Sequence, residues 1–285
     1  MKLYQKTTVK EIQEKYGFNF SRNLGQNFLI DKNIIDKIIA GTEIGPQDTV
    51  LEIGPGMGVI TAEAAAQAKK VIAVEVDKSL LPILAETLAG CDNVRIINED
   101  ILKLDIDKII AEETAGGGEA KVIGNLPYYI TTPIIMKLLE ETTVKSITIM
   151  MQKEVADRIK AAPGSKIYGA ISVAVQYYCQ VEKIADVPKT VFIPQPQVDS
   201  VVLRLVRRGE PAVEVLDKGI FFACVKAGFG QRRKTLLNSL QTVRGTSKAM
   251  IEESLAAAGV EAGRRAETLS LEEFGKISNE VYKRL

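Results

Sequence analysis

The sequence contains no histidine, and only three cysteines in 285 residues. Without an imidazole there is no Ser-His-Asp triad, no Cys-His pair and no His-ligated metal centre. Cys91, Cys179 and Cys224 lie too far apart along the chain for a disulfide framework or a Cys-rich metal site. The expectation is a protein of a reducing cytoplasm that holds no metal. Long apolar runs are missing too, since none approaches the roughly 20 residues that span a bilayer. The opening stretch, MKLYQKTTVKEIQEKYGF, lacks the apolar core of a signal peptide. An excess of one charge is also absent, with 37 Lys and Arg against 36 Asp and Glu. Net charge therefore says nothing about nucleic acid, but its distribution does. Residues 221–250 carry six Lys or Arg and no acid. Taken alone, such a run is a solvated helix face.

What is present is an ordinary globular composition, 46% hydrophobic and 26% charged, enough for one large domain and a smaller one. From residue 49 short apolar strands alternate with helices. TVLEIG (49–54), VIAVEVD (71–77), NVRIINED (93–100), AKVIGN (120–125) and SITIMMQ (146–152) read as strands. VITAEAAAQAKK (59–70), SLLPILAETLAG (79–90) and TPIIMKLLEE (132–141) read as helices. That alternation predicts an α/β domain whose parallel sheet is covered on both faces. VDSVVLRLV (198–206) reads as a last strand and RRGEP (207–211) as a linker. Four helical patterns follow, at 215–229, 233–243, 247–259 and 271–285. The expected division is an α/β domain over 1–206 and a small helical domain over 207–285.

The strand ends carry the chemistry. LEIGPGMGVIT (51–61) puts Gly54, Gly56 and Gly58 between the first strand and its helix, where glycine lets the backbone approach a ligand closely, or simply makes a tight turn. Glu75 closes the second strand, at the same sheet edge, and can accept both hydroxyls of a ribose. This pair does not choose a cofactor, and Gly-x-Gly-x-Gly departs from the dinucleotide fingerprint. The third strand ends in Glu99-Asp100-Ile101, an acid for an adenine amine beside an apolar residue for its ring. A turn for an amino-acid part, an acid for ribose and an acid for a base make the layout of an S-adenosylmethionine site.

The fourth strand ends in NLPYYI (125–130). Asn-x-Pro is also ordinary turn chemistry. At this edge it has a use. Adenine N6 is a weak nucleophile because its lone pair is delocalised into the ring. Accepting hydrogen bonds from both N6 hydrogens, through the Asn125 side chain and a following backbone carbonyl, favours a pyramidal nitrogen. Tyr128 offers a face for an extruded base, and Pro127 holds the acceptors in place.

Taken together, NLGQNFLID (23–31), LEIGPGMGVIT, VIAVEVD, NVRIINEDIL, VIGNLPYYITTPII (122–135), VFIPQPQVDSVVLRL (191–205), FGQRRKTLLNSL (229–240) and RAETLSLEEF (265–274) closely resemble the ribosomal small-subunit RNA adenine N6-dimethyltransferases. The matches run in order over nearly the whole chain. GQNFL, NLPY and FIPQPQVDS are the specific ones, and the glycine turn is weakly so. The resemblance implies a Rossmann-like S-adenosylmethionine-dependent sheet with a helical RNA- or ribosome-binding domain. It implies methylation of N6 on two adjacent adenines near the 3′ end of 16S RNA, in a pre-assembled small ribosomal subunit, by a monomer without a membrane partner. Asn27 and Leu29 would cover the cofactor, Gly54 and Gly56 line its amino-acid part, Glu75 hold its ribose and Asp100 its adenine. Asn125, Leu126, Pro127 and Tyr128 would form the catalytic stretch, with Asn125 touching both cofactor and target amine. Tyr128 and Phe192 would hold the flipped adenine, and Arg232, Arg233 and Lys234 the RNA. Phe192 also reads as a core aromatic beside two prolines. The large-subunit resistance methyltransferases share FxPxPxV, but RRKTLLNSL and GQNFL fit the small-subunit branch. DNA adenine methyltransferases use a similar tetrad, yet no separate DNA-recognition domain is legible. A different class, an RNA-binding assembly checkpoint with methylation secondary, stays open at this point.

Overall fold

The computed structural model describes residues 2–21, 24–114 and 117–285. Asn23 of NLGQNFLID, and Ala115 and Gly116 of the glycine-rich loop AGGGEA, lie outside the described residues. The chain begins with α1 (Lys6–Tyr16), a two-residue strand β1 (Phe28–Leu29) and α2 (Lys32–Thr42). Then β2 (Thr49–Ile53), α3 (Val59–Ala65), β3 (Lys70–Val74), α4 (Leu81–Thr87), β4 (Val94–Ile97) and α5 (Ile106–Thr114) alternate. They continue into β5 (Ala120–Asn125), α6 (Thr131–Glu141), β6 (Ser146–Gln152) and α7 (Lys153–Ile159). After α8 (Ala170–Tyr178) come β7 (Cys179–Val187), β8 (Phe192–Ile193) and β9 (Ser200–Arg207). The chain closes with α9 (Lys218–Gly230), α10 (Leu236–Ser239), α11 (Lys248–Ala257) and α12 (Leu271–Tyr282).

The main sheet has seven strands in the order β4-β3-β2-β5-β6-β9-β7. Pairs β2–β3, β3–β4, β2–β5 and β5–β6 are parallel, while β9 runs antiparallel to β6. Helices cover both faces of the parallel part, so its strands are apolar without alternation. Val71, Ile72, Ala73, Val122 and Ile123 are all fully buried. α2 shows how a covering helix forms. Asp31 caps it by accepting from the Ile34 N–H at 3.0 Å, and Ile34, Ile35, Ile38 and Ile39 make one buried stripe. The short β1 and β8 pair antiparallel, with Leu29 opposite Phe192.

The chain divides into two compact units, Met1–Ala156 with Val181–Arg207, and Asp157–Gln180 with Arg208–Leu285. The sequence-based division kept 157–180 in the first domain, whereas these residues pack with the C-terminal helices. Aromatic side chains explain the difference. Within the second unit Tyr177 stacks on Phe221 at 4.8 Å and Tyr178 on Phe222 at 5.6 Å. Tyr168 meets Phe229 edge-on at 5.6 Å. Burying these rings ties 157–180 to α9. The stretch 233–243 forms not one helix but α10 followed by a 3₁₀ turn at Leu240–Thr242. Among the described residues, no helix is long and apolar enough to cross a membrane.

Candidate active site

From β2 the chain builds the sheet outward through β3 and β4, then crosses to the other side for β5 and β6. At the carboxyl ends of β2 and β5, where this reversal occurs, side chains on the two halves diverge and leave a crevice. In register, Ile53 lies opposite both Val74 and Gly124. Gly54, Glu75 and Asn125 therefore leave their strands at one level. An open cleft of about 980 Å³ lies there, lined among others by Asn27, Leu29, Gly54, Gly56, Glu75, Asp100, Asn125 and Pro127.

The backbone turn over the cleft needs glycine. Gly54 and Gly56 have φ of +69° and +61°, in the left-handed region. A Cβ on Gly56 would come within 2.9 Å of the Phe28 ring, so the turn and the N-terminal lead-in meet here. Glu75 is 5% exposed, and Oε1 accepts from the Asp77 N–H at 2.8 Å. Burial pushes its carboxyl up to about 6, partly offset by hydrogen bonds from the Asp77 and Gly56 backbone. Near neutrality it is mostly an ionised acceptor. Asp100 turns one oxygen onto the Leu102 N–H at 3.0 Å, and Asn98 braces the β3 end by donating to the Glu75 carbonyl at 2.7 Å.

Asn125 has a fixed amide. Its Nδ2 donates to the Asn27 carbonyl at 2.8 Å, so Oδ1 is left as an acceptor with no donor among the described residues. The Pro127 carbonyl is engaged, accepting from the Ile130 N–H at 3.2 Å and the Thr131 hydroxyl at 3.0 Å. The Leu126 carbonyl receives no such donor among the described residues, while the Leu126 side chain is 1% exposed. Asn125 Oδ1 and the Leu126 carbonyl are thus acceptors that this turn leaves unpaired among the described residues.

Not every residue singled out in the sequence meets at the cleft. Tyr128 does not line it. Its hydroxyl pairs with the Ser200 hydroxyl at 2.9 Å, and burial raises its pKa. Phe192 is 2% exposed and packs in the core with Leu29, Ile35 and Val202. Arg232, Arg233 and Lys234 are exposed in the second unit, where Arg232 donates to the Lys166 carbonyl at 2.6 Å.

Three contributors went unread in the sequence. Gln26 donates to Asp77 at 2.6 Å and accepts from the Ser21 N–H at 2.7 Å, fastening the lead-in beside Glu75. Only the three-dimensional neighbour gives it meaning. Glu52 lines the cleft from β2 at 1% exposure, with Oε2 unpartnered. An acid inside an apolar strand was the available signal. Tyr129, overshadowed by its neighbour in the motif, lines the cleft instead of Tyr128.

A parallel sheet continued by the antiparallel β9 and the edge strand β7, with a glycine turn and two acids around a cleft at its reversal point, has the layout of an α/β methyltransferase. Comparison with known proteins narrows this. The model of the family "Ribosomal RNA adenine dimethylase" matches residues 17–283, and the chain belongs to that family. It is 52% identical to ribosomal RNA small subunit methyltransferase A of Bacillus cytotoxicus, covering 95% of this chain and 94% of that protein. It is 51% identical to the protein of the same name from Bacillus mycoides, with the same coverage. A crystal structure of a dimethyladenosine transferase from Plasmodium falciparum superposes with a TM-score of 0.74 at 25% identity, over 88% of this chain and 95% of that one. The 23S rRNA methyltransferase ErmE superposes with a TM-score of 0.66 at 28% identity, over 90% of this chain and 100% of that one. The chain is an enzyme, an rRNA adenine dimethylase.

Proposed function

We propose that the enzyme transfers methyl groups from S-adenosylmethionine to N6 of two adjacent adenines near the 3′ end of small-subunit ribosomal RNA, giving dimethyladenosines during small-subunit assembly. The small-subunit assignment rests on the names of the relatives more than 50% identical to it. The mechanism rests on one observation, the Asn125 amide anchored by Asn27 with Oδ1 free beside the unpaired Leu126 carbonyl.

The cleft fits the cofactor. It offers a glycine turn that a Cβ would obstruct, an acid for ribose hydroxyls in Glu75, an acid for the adenine amine in Asp100, and an orphaned buried oxygen on Glu52. Asn27 and Leu29 cover it from the lead-in. When bound, S-adenosylmethionine supplies an electrophilic methyl and, through its sulfonium, the drive for transfer. Asn125 Oδ1 and the Leu126 carbonyl accept from the two N6 hydrogens, which returns lone-pair density to nitrogen. Pro127 keeps both acceptors in place without rearrangement. The N6 proton leaves to water, so no imidazole is needed. Tyr128, which pairs with Ser200 and lies outside the cleft lining in the present arrangement, would have to turn its ring toward the cleft to hold the extruded base. Phe192 is buried in the present arrangement, so its contact with the base requires the short β1–β8 pair to open. Arg232, Arg233 and Lys234, in the basic run, bind RNA phosphates.

We assign the reaction to the cytoplasm, performed by a monomer on a pre-assembled small subunit. A ribosomal RNA target, three free cysteines and the relatives' names support this. Mass spectrometry of small-subunit RNA, after incubating unmethylated particles with the enzyme and labelled S-adenosylmethionine, tests the reading. Label in two neighbouring dimethyladenosines is expected. Label confined to large-subunit RNA, or none, would overturn it.

A further inference from the structure

We infer that Tyr129 is a second base-stacking residue, which holds the nucleotide next to the adenine being methylated. This rests on the function proposed above and adds to it a residue that the motif reading passed over.

At 60% exposure, Tyr129 is the most exposed large apolar side chain among the described residues. A bare aromatic ring is costly to leave in water, and this one lines the same cleft as Asn125 and Pro127. Its edge is propped against the backbone. Cδ1 and Cε1 lie 3.7 Å from where a Cβ on Gly25 would stand, and Pro127 Cβ is 3.5 Å from that point. Gly25 has a φ of +62°, a backbone conformation that favours glycine. Tyr128 by contrast is turned to Ser200 and away from the cleft lining. Two consecutive tyrosines thus take different orientations, one half-buried and hydrogen-bonded, one open.

The substrate chemistry gives the open ring its use. Extruding one adenine strips its neighbour of a stacking partner. A ring at the cleft mouth, beside the acceptors, replaces that partner, and because every base has a π-face it serves whichever of the two adenines is left outside.

The test is steady-state methylation of unmethylated small-subunit particles by wild type, Tyr129→Phe and Tyr129→Ala, with calorimetry of S-adenosylmethionine binding. Tyr129→Ala is expected to raise KM for particles about tenfold, within the range for loss of one base–aromatic stack, with kcat nearly unchanged. Tyr129→Phe should restore it, and cofactor affinity should be the same in all three. An unchanged KM in Tyr129→Ala would overturn the inference. So would a parallel loss of cofactor affinity, which would make Tyr129 a cofactor lid, or a Tyr129→Phe as impaired as the alanine variant. A wild type that methylates no adjacent adenines would defeat the proposed function itself, a distinguishable outcome.

Discussion

At the scale of single residues the cleft is a set of acids held in unequal environments. Glu52 is the extreme. Burial pushes its carboxyl up to about 8, the nearby Glu75 charge adds to the rise, and the Thr61 hydroxyl lowers it somewhat without giving Oε2 a partner in hydrogen-bond geometry. The folded-state pKa exceeds the unfolded one near 4.5. The folded chain therefore keeps a proton that the unfolded chain releases, and stability is full below that window and declines as pH rises through it. Glu52→Gln removes the titration. Its melting temperature should fall less than that of wild type between about pH 5 and pH 8, and parallel profiles would contradict the burial argument. Glu75 titrates lower, at about 6, so in its proposed role as acceptor for ribose hydroxyls it would be ionised near neutrality. Glu75→Ala should cost about 1.5–3 kcal/mol of cofactor binding. Wild-type affinity should weaken as pH drops through about 6, an inflection that Glu75→Gln should lack. Calorimetry across pH checks both.

At the scale of elements, the site depends on a turn and a lead-in that interlock. Gly56 is the contact point. Gly56→Ala imposes a Cβ at positive φ and drives it against Phe28, which packs on Phe18 and Phe20. The left-handed conformation alone costs about 1–2 kcal/mol, so both thermal stability and cofactor affinity should drop. Melts and calorimetry that match wild type would separate the turn from the lead-in. The elements around the cleft were legible because their signals are local. β5 and β6 occupy 120–125 and 146–152 as the apolar runs between breakers indicate. Residues 153–190 give no such signal. α8, AISVAVQYY, is apolar on nearly every side, and its rings find partners in α9, more than 40 residues on. Such burial has no period to detect. The acceptor geometry of NLPY was equally hidden. Sequence supplied Asn125 and a following carbonyl, but only the Ile130 and Thr131 bonds reveal that Pro127 is occupied and Leu126 is not.

At the scale of the whole molecule, the chain carries a methyltransferase cleft in one compact unit and a basic run in the other. If that run binds phosphates, Arg233→Gln with Lys234→Gln should flatten the salt dependence of particle binding by roughly 0.7–0.9 in logarithmic slope for each phosphate no longer neutralised. Cofactor affinity should not move. Arg232 also braces the Lys166 carbonyl, so a triple variant including it should lose stability as well. Equal slopes for the double variant and wild type would return the run to a solvated face. The central claim is that Asn125 Oδ1, aimed by Asn27, activates the adenine amine. After a first methylation N6 keeps one hydrogen, and Asn125 should matter in both steps if, as proposed, its amide meets both cofactor and amine. The direct measurement is the yield of mono- and dimethyladenosine in small-subunit RNA treated with wild type or with folded Asn125→Ala. Both products should be nearly abolished in the variant. Dimethylation by Asn125→Ala at close to the wild-type rate would contradict it.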